Sequence, residues 1–305
     1  MKKQLLLLAF LISASIINAQ DYLDVMKASY HSTTLGNTEN DSETDVSNAN
    51  IEVYFPLPLT SDITMITGFT YENTRLGLIN TTEAVDAGFM DRSNLVMTRL
   101  NLGVKLEHGK KWSGTYVALP KFASDFNNLG NNDFQMGGLA LLEKRYSSKY
   151  SLKFGTYISS ENFGTTLTPL IGLWYKSKNK KFYINATLPI RADANYSLTD
   201  HFSLGANLIT SIKSYNLSEF DSNFYVQEES IRFSAFAAYG FLNDALIVRG
   251  RVGLDTTDYG VYAEGDTVGL QVLTFQVGGD DRTRLNNEFS AAPFVGIDLI
   301  FRTGL

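Results

Sequence analysis

Cysteine is absent from the 305 residues. That excludes disulfides, thiol catalysis, cysteine-ligated metal and a lipid-modified cysteine at an export cut. Stability must come from hydrogen bonding and packing alone. Long apolar runs are missing after the first twenty residues, so no transmembrane helix is expected. Histidine is limited to three residues, and no Gly-rich phosphate loop or dinucleotide fingerprint occurs. The acidic stretch Asn40-Asp41-Ser42-Glu43-Thr44-Asp45 lacks the glycine and the spacing of a calcium loop. Neither a metal nor another cofactor is expected. The net charge of −6 is modest and argues against a nucleic-acid partner. Nor does any Pro-rich linker or low-complexity run mark a domain boundary.

The first residues read as an export signal. Lys2 and Lys3 precede an apolar stretch at 5–12 that is too short to span a bilayer, and Ala19-Gln20 offers a cleavage site. The expected organisation is a signal peptide at 1–19 and one barrel domain at 20–305.

What is present is a period of two. Val96, Thr98, Leu100, Leu102 and Val104 alternate with Met97, Arg99, Asn101, Gly103 and Lys105. Leu246, Val248, Gly250 and Val252 alternate with Ile247, Arg249, Arg251 and Gly253, and Val295, Ile297, Leu299 and Phe301 with Gly296, Asp298, Ile300 and Arg302. This is strand patterning. Averaging lipid-facing and inward residues also accounts for a neutral mean hydropathy of −0.08.

Connections alternate between short and long. Tight turns fall at 56–62, 108–111, 147–149, 176–181, 199–201 and 242–244; long polar loops fall at 36–45, 77–93, 123–133, 216–229 and about 257–288. The short turns are basic (Lys110, Lys111, Lys149, Lys176, Lys178, Lys180, Lys181) and the long loops acidic. Aromatics flank the short turns, among them Trp112, Tyr116, Tyr146, Tyr150, Trp174, Tyr175, Phe182, Tyr183, Phe202 and Phe241. Short periplasmic turns, longer external loops and an aromatic girdle are the signature of an outer-membrane barrel. The expected fold is all-β, a closed antiparallel up-and-down transmembrane barrel of about 14 strands, with 12 as the alternative count. Two places leave the count open. Pro189 makes 188–198 either a short hairpin end or one bent strand, and 268–277 reads as a strand where a loop is expected.

The hairpins Gly109-Lys110-Lys111-Trp112 and Tyr196-Ser197-Leu198-Thr199-Asp200-His201-Phe202-Ser203-Leu204, with the final Phe294-Val295-Gly296-Ile297-Asp298-Leu299-Ile300-Phe301, resemble outer-membrane barrels of the Bacteroidota, within them a family of unassigned function. One departure is the end on Leu305 where such barrels often carry an aromatic residue. The resemblance implies an outer-membrane location, with membrane lipid and the barrel-insertion machinery as partners, and a monomer.

Charged residues that alternate with apolar ones must point inward, because a charge facing lipid near the midplane costs a few kcal/mol. Arg99, Lys105, Glu143, Arg232, Arg249, Arg251 and Asp298 are the candidate lumen-lining residues. Either the lumen holds water and passes small solutes, or its charges pair across and close it; Arg249 and Arg251 suggest a basic spot on the wall. The leading expectation is a non-enzymatic small-solute channel or transport barrel. A structural or adhesion barrel acting through its acidic loops is the alternative. A lipid hydrolase using His201 and Ser203 is a third reading, disfavoured because no third polar residue is placed to orient the imidazole and the pair follows a short turn.

Overall fold

The computed structural model describes residues 22–39, 42–77, 93–127, 129–217, 224–273 and 275–304. The expected signal peptide lies outside the described residues, as do parts of the acidic loop at 36–45 and most of the loop at 77–93. Among the described residues no helix is long and apolar enough to cross a membrane, and the chain is built almost wholly of strands. These are β1 (Tyr22–Gly36), β2 (Glu43–Pro58), β3 (Ile63–Leu76), β4 (Ser93–Glu107), β5 (Trp112–Ser124), β6 (Phe134–Ser147), β7 (Tyr150–Glu161), β8 (Gly164–Lys176) and β9 (Phe182–Leu188). They continue as β10 (Arg191–Ser197), β11 (Phe202–Leu217), β12 (Phe224–Phe241), β13 (Leu246–Asp255), β14 (Asp258–Ala263), β15 (Gly269–Val272), β16 (Phe275–Val277) and β17 (Ala292–Gly304).

Each of β1 to β12 pairs antiparallel with the next, β13 pairs with β17, and β17 returns to β1. The ring therefore closes with fourteen strands, the larger of the two expected counts. All six tight turns and both described chain ends lie at one rim, the short-turn end. The period of two is realised as two faces. Phe69, Leu100, Leu102, Ile171, Phe233, Val252, Val295 and Ile297 are exposed on the outside, while their alternating neighbours are covered. A continuous exposed apolar belt is untenable in water and is what a barrel presents to lipid.

The girdle holds with two corrections, Trp174 and Tyr183, which both face inward. Trp112, Tyr116, Tyr146, Tyr175, Tyr239 and Phe241 lie on or beside the outward face near the short turns. Trp174 does not: it is 2% exposed and packs inside against Tyr183, their rings 5.5 Å apart. Alternation forces this, since Trp174 and Tyr175 are consecutive on one strand and cannot share a face.

Two of the long loops are also shorter than the sequence suggests. β11 runs to Leu217 and β12 starts at Phe224, so most of 216–229 is strand. β14 extends the line of β13 in the same register against β12, Arg232 facing Asp255 and Glu229 facing Asp258.

Inward glycines let the sheet coil tightly. A Cβ on Gly103 would sit 2.1 Å from the Tyr116 carbonyl oxygen on the next strand. Gly103→Val should therefore force the β4–β5 backbones apart and cost about 1–3 kcal/mol. Urea unfolding in lipid vesicles checks this; an unchanged midpoint would show that the wall yields freely there.

Candidate functional site

Fourteen strands enclose a lumen, but its two ends are built differently. β10 stops at Arg191, at the β9–β10 turn, which carries a cis peptide bond before Pro189. β11 continues well past that height. Its upper part leaves the ring and crosses to β5, where Asn216 bridges Ser124. At the long-loop end the eight strands β1–β5, β11, β12 and β14 thus enclose a smaller inner ring, completed by the segment 285–290, which bonds Val261 of β14 and Gly36 of β1. A ring of about eight strands is just wide enough for side chains to fill, and here they do. Leu35, Val46, Leu76, Leu95, Met97, Tyr215, Val226, Tyr259 and Val261 form one buried apolar cluster.

Below the cluster the interior is charged, and the charges pair from strand to strand across the lumen. Lys213 Nζ lies 2.6 Å from Glu72 and 3.3 Å from Glu228, and Asn48 donates to Glu72 at 2.7 Å. Lys121 pairs with Glu161 at 2.6 Å. Arg232 donates to His31 Nε2 at 2.7 Å, with Asp255 3.8 Å from the same nitrogen. Arg302 holds Asp24 at 2.6 Å near the short-turn rim.

All seven residues picked from the sequence stand on the inward register. Arg249 pairs with Asp193 at 2.8 Å and lies over the Phe236 ring, 4.0 Å from its centroid. Arg251 meets Asp298 at 2.9 Å, and Lys27 approaches the same carboxylate at 3.5 Å. The basic spot suggested by the pair Arg249 and Arg251 is thus divided between two carboxylates. Lys105 lies 3.5 Å from Glu107, which also pairs with Arg145, and Glu143 accepts a hydrogen bond from Ser151. Arg99 differs. Among the described residues it makes one side-chain hydrogen bond, to Thr70 at 3.4 Å, and no ion pair, and its Nε is buried without a partner.

Arg99 faces a feature that sequence reasoning missed. Because β9 and β10 are short, no strand of the ring joins β8 above Ile171 to β11 above Ile209, and β15 covers the β8 edge only from Gly164 to Leu167. Pro189 and Ile190 form the sill of this notch, tied to β11 by Thr210, whose amide and hydroxyl donate to Ile190 O and Pro189 O at 2.9 and 3.0 Å. On the other side β15 runs parallel to β8 from Gly164 to Leu167 and pairs with β16 in a small hairpin. The strand expected at 268–277 is this hairpin. A cavity of about 460 Å³ occupies the notch. Arg99, Tyr157, Thr166 and Thr168 reach it from inward registers, and Thr210 and Ile231 from the outward one, so it spans the wall. Thr166 is 1% exposed, and its Oγ1, like Arg99 Nε, is buried without a partner. The sequence signals were Pro189 and two strand segments too short to span a bilayer.

The loop above the notch is anchored to the upper strands. Arg282 reaches Tyr225 and Gln227 at 2.9 and 2.6 Å and holds Asp280 at 2.7 Å, which keeps that carboxyl below the usual carboxylate range.

The structure supplies the third polar residue that the sequence did not show, Asp244 beside His201, but it does not form the His201–Ser203 pair that the hydrolase reading needs. His201 Nδ1 is 3.1 Å from Asp244, both are about half exposed at the short-turn rim, and no hydrogen bond joins His201 to Ser203. Among the described residues no group of three or more His, Asp or Glu is arranged to hold a metal.

Similar folds occur in solved outer-membrane proteins. The COG4313 outer membrane channel from Pseudomonas putida F1 is 10% identical, over 92% of this chain and 96% of that chain, with a TM-score of 0.43. The Pseudomonas putida toluene transporter TodX is 10% identical over 97% and 94%, with a TM-score of 0.38. A Pseudomonas aeruginosa FadL homologue is 8% identical over 92% and 90%, with a TM-score of 0.37. A search of curated proteins gives no match. Residues 16–239 match the family described as Domain of unknown function (DUF6268), and the chain belongs to that family.

Proposed function

We propose that this chain is an outer-membrane transport barrel for small solutes whose path runs through the side of the wall rather than straight along the axis. The observation that carries this reading is the notch between β8 and β11, where one cavity joins Arg99 on the lumen side to Ile231 on the lipid side. The apolar cluster across the inner ring supports it, because it blocks the direct axial route at the long-loop end. The chemistry of the notch suggests the solute. Tyr157, Pro189, Ile190, Ile212, Ile231 and Leu273 supply apolar surface, and Arg99 Nε and Thr166 Oγ1 are left to be satisfied. A buried polar atom without a partner costs about 1–3 kcal/mol. A small, largely apolar molecule with one acceptor or anionic end relieves that cost on entering. No catalytic step is part of the proposal. Outer-membrane lipid surrounds the apolar belt, the insertion machinery delivers the chain, and it works as a monomer. The hairpin motifs support a Bacteroidota-type outer membrane as its setting.

Benzenesulfonate is a suitable probe, being apolar at one end and permanently anionic at the other. Ile190→Trp and Thr210→Trp each put an indole into the notch. In proteoliposomes both variants should slow benzenesulfonate entry about tenfold, equivalent to ~1.4 kcal/mol in the barrier. Unchanged rates in both would refute the lateral path.

A further inference from the structure

A second cavity, separate from the notch, lies at the long-loop end between the segment leading into β6, the β7–β8 turn and the upper parts of β11 and β12. We propose that it is a binding site for a neutral polyhydroxyl ligand, a sugar in chemical class. Its volume of about 370 Å³ falls within the ~300–1,000 Å³ of small-ligand pockets. Its polar lining is mostly amide: Asn131, Asn132, Gln135, Asn162 and Asn216.

Gln135 is the central observation. It is 3% exposed, and its Nε2 is fixed by Ser214, donating to the carbonyl at 3.1 Å and to Oγ at 3.2 Å. The fixed amide leaves Oε1 buried with no partner among the described residues. A buried acceptor held without a donor invites a ligand hydroxyl. The surrounding walls are braced by bonds that do not involve a ligand. Asp133 accepts from Asn216 Nδ2 at 2.9 Å and from the Gly130 amide at 2.7 Å, and Asn132 bonds Glu264.

Charge narrows the ligand class. Among the described residues no lysine or arginine lines this cavity. Lys121 neutralises Glu161, while Glu264 at the lip has an amide as its partner. An anion therefore meets no cation here, whereas amides and carboxylates match the paired donors and acceptors of a diol. Phe134 lines the cavity with a half-exposed ring braced edge-on by Phe122, centroids 5.4 Å apart. Such a ring offers an apolar face to the C–H side of a sugar. The proposal does not rest on the transport reading, since binding at this end needs no passage through the wall.

The test is calorimetric titration of the full chain in detergent with two probes. One is a neutral disaccharide, maltose; the other is galactosylglycerol, the neutral headgroup of a glycolipid. Saturable binding is expected, and it should weaken about fivefold in Gln135→Leu, the worth of roughly one net hydrogen bond. Phe134→Ala should weaken it comparably, and because that ring is half exposed its loss leaves folding intact. Saturation by maltose assigns the site to free sugar, and saturation by galactosylglycerol alone assigns it to surface glycolipid. No saturation by either probe, or equal binding in wild type and Phe134→Ala, overturns the proposal.

Discussion

Planar bilayers carrying the wild-type chain should show little steady ionic current, and combining Tyr215→Ala with Tyr259→Ala should raise that current about tenfold or more. Both rings are 2% exposed or less and belong to the cluster that fills the inner ring. Rings of about eight strands are closed by side chains, not by backbone. Removing two of the largest side chains from this one leaves a void. The void does not stay dry, because Glu228 and Lys213 lie beside Tyr215: the Tyr215 hydroxyl is 3.4 Å from Glu228, and Lys213 Nζ is 5.7 Å from the ring centroid. Water enters cavities that offer it polar partners. A large-to-small change of this kind costs about 3–5 kcal/mol, so heat-modifiable gel migration must first show the barrel intact. A folded double variant with wild-type current would mean that the axial route is closed elsewhere. The same experiment separates the two routes, since Thr210→Trp fills the notch and should leave the ionic current of the double variant unchanged.

The wall of this barrel was legible in the sequence because each wall residue obeys a local rule. Alternation alone put Arg99, Lys105, Glu143, Arg249 and Asp298 on one face and Leu100, Leu102, Val252 and Ile297 on the other. Turn length sorted the strand ends into two rims, with the short turns gathered at one of them. What crosses the lumen was not legible. The pairing of Lys213 with Glu72 joins residues 141 positions apart, and nothing near either one announces the other. The departure of β11 from the ring is equally non-local. It depends on β10 ending early, on β5 standing opposite, and on the β15–β16 hairpin covering the edge of β8. Pro189 was visible as an interruption, but an interruption in a strand pattern does not say whether the neighbouring strands close over it or leave a gap. Trp174 was misplaced for a different reason: its neighbourhood was weighed more heavily than its parity.

Lys213→Met should be the most destabilising single change in the interior, by about 3–5 kcal/mol, the cost of breaking a buried ion pair from one side. Lys213 is 6% exposed and lies between two buried carboxylates on different strands, Glu72 at 2.6 Å and Glu228 at 3.3 Å. Methionine fills much of the same volume, so packing changes little and the loss is electrostatic. Two carboxylates are then left facing each other with no cation in contact, Arg232 acting on them only at longer range and Asn48 still donating to Glu72. The magnitude follows from what is left behind rather than from the strength of the bridge. Adding Glu72→Gln and Glu228→Gln to Lys213→Met removes both stranded charges and should restore at least half of the loss. Urea unfolding in lipid vesicles compares the three proteins. If the triple variant is no more stable than Lys213→Met, the lysine acts through packing, and the charge network is not what ties β11 to β3 across the lumen.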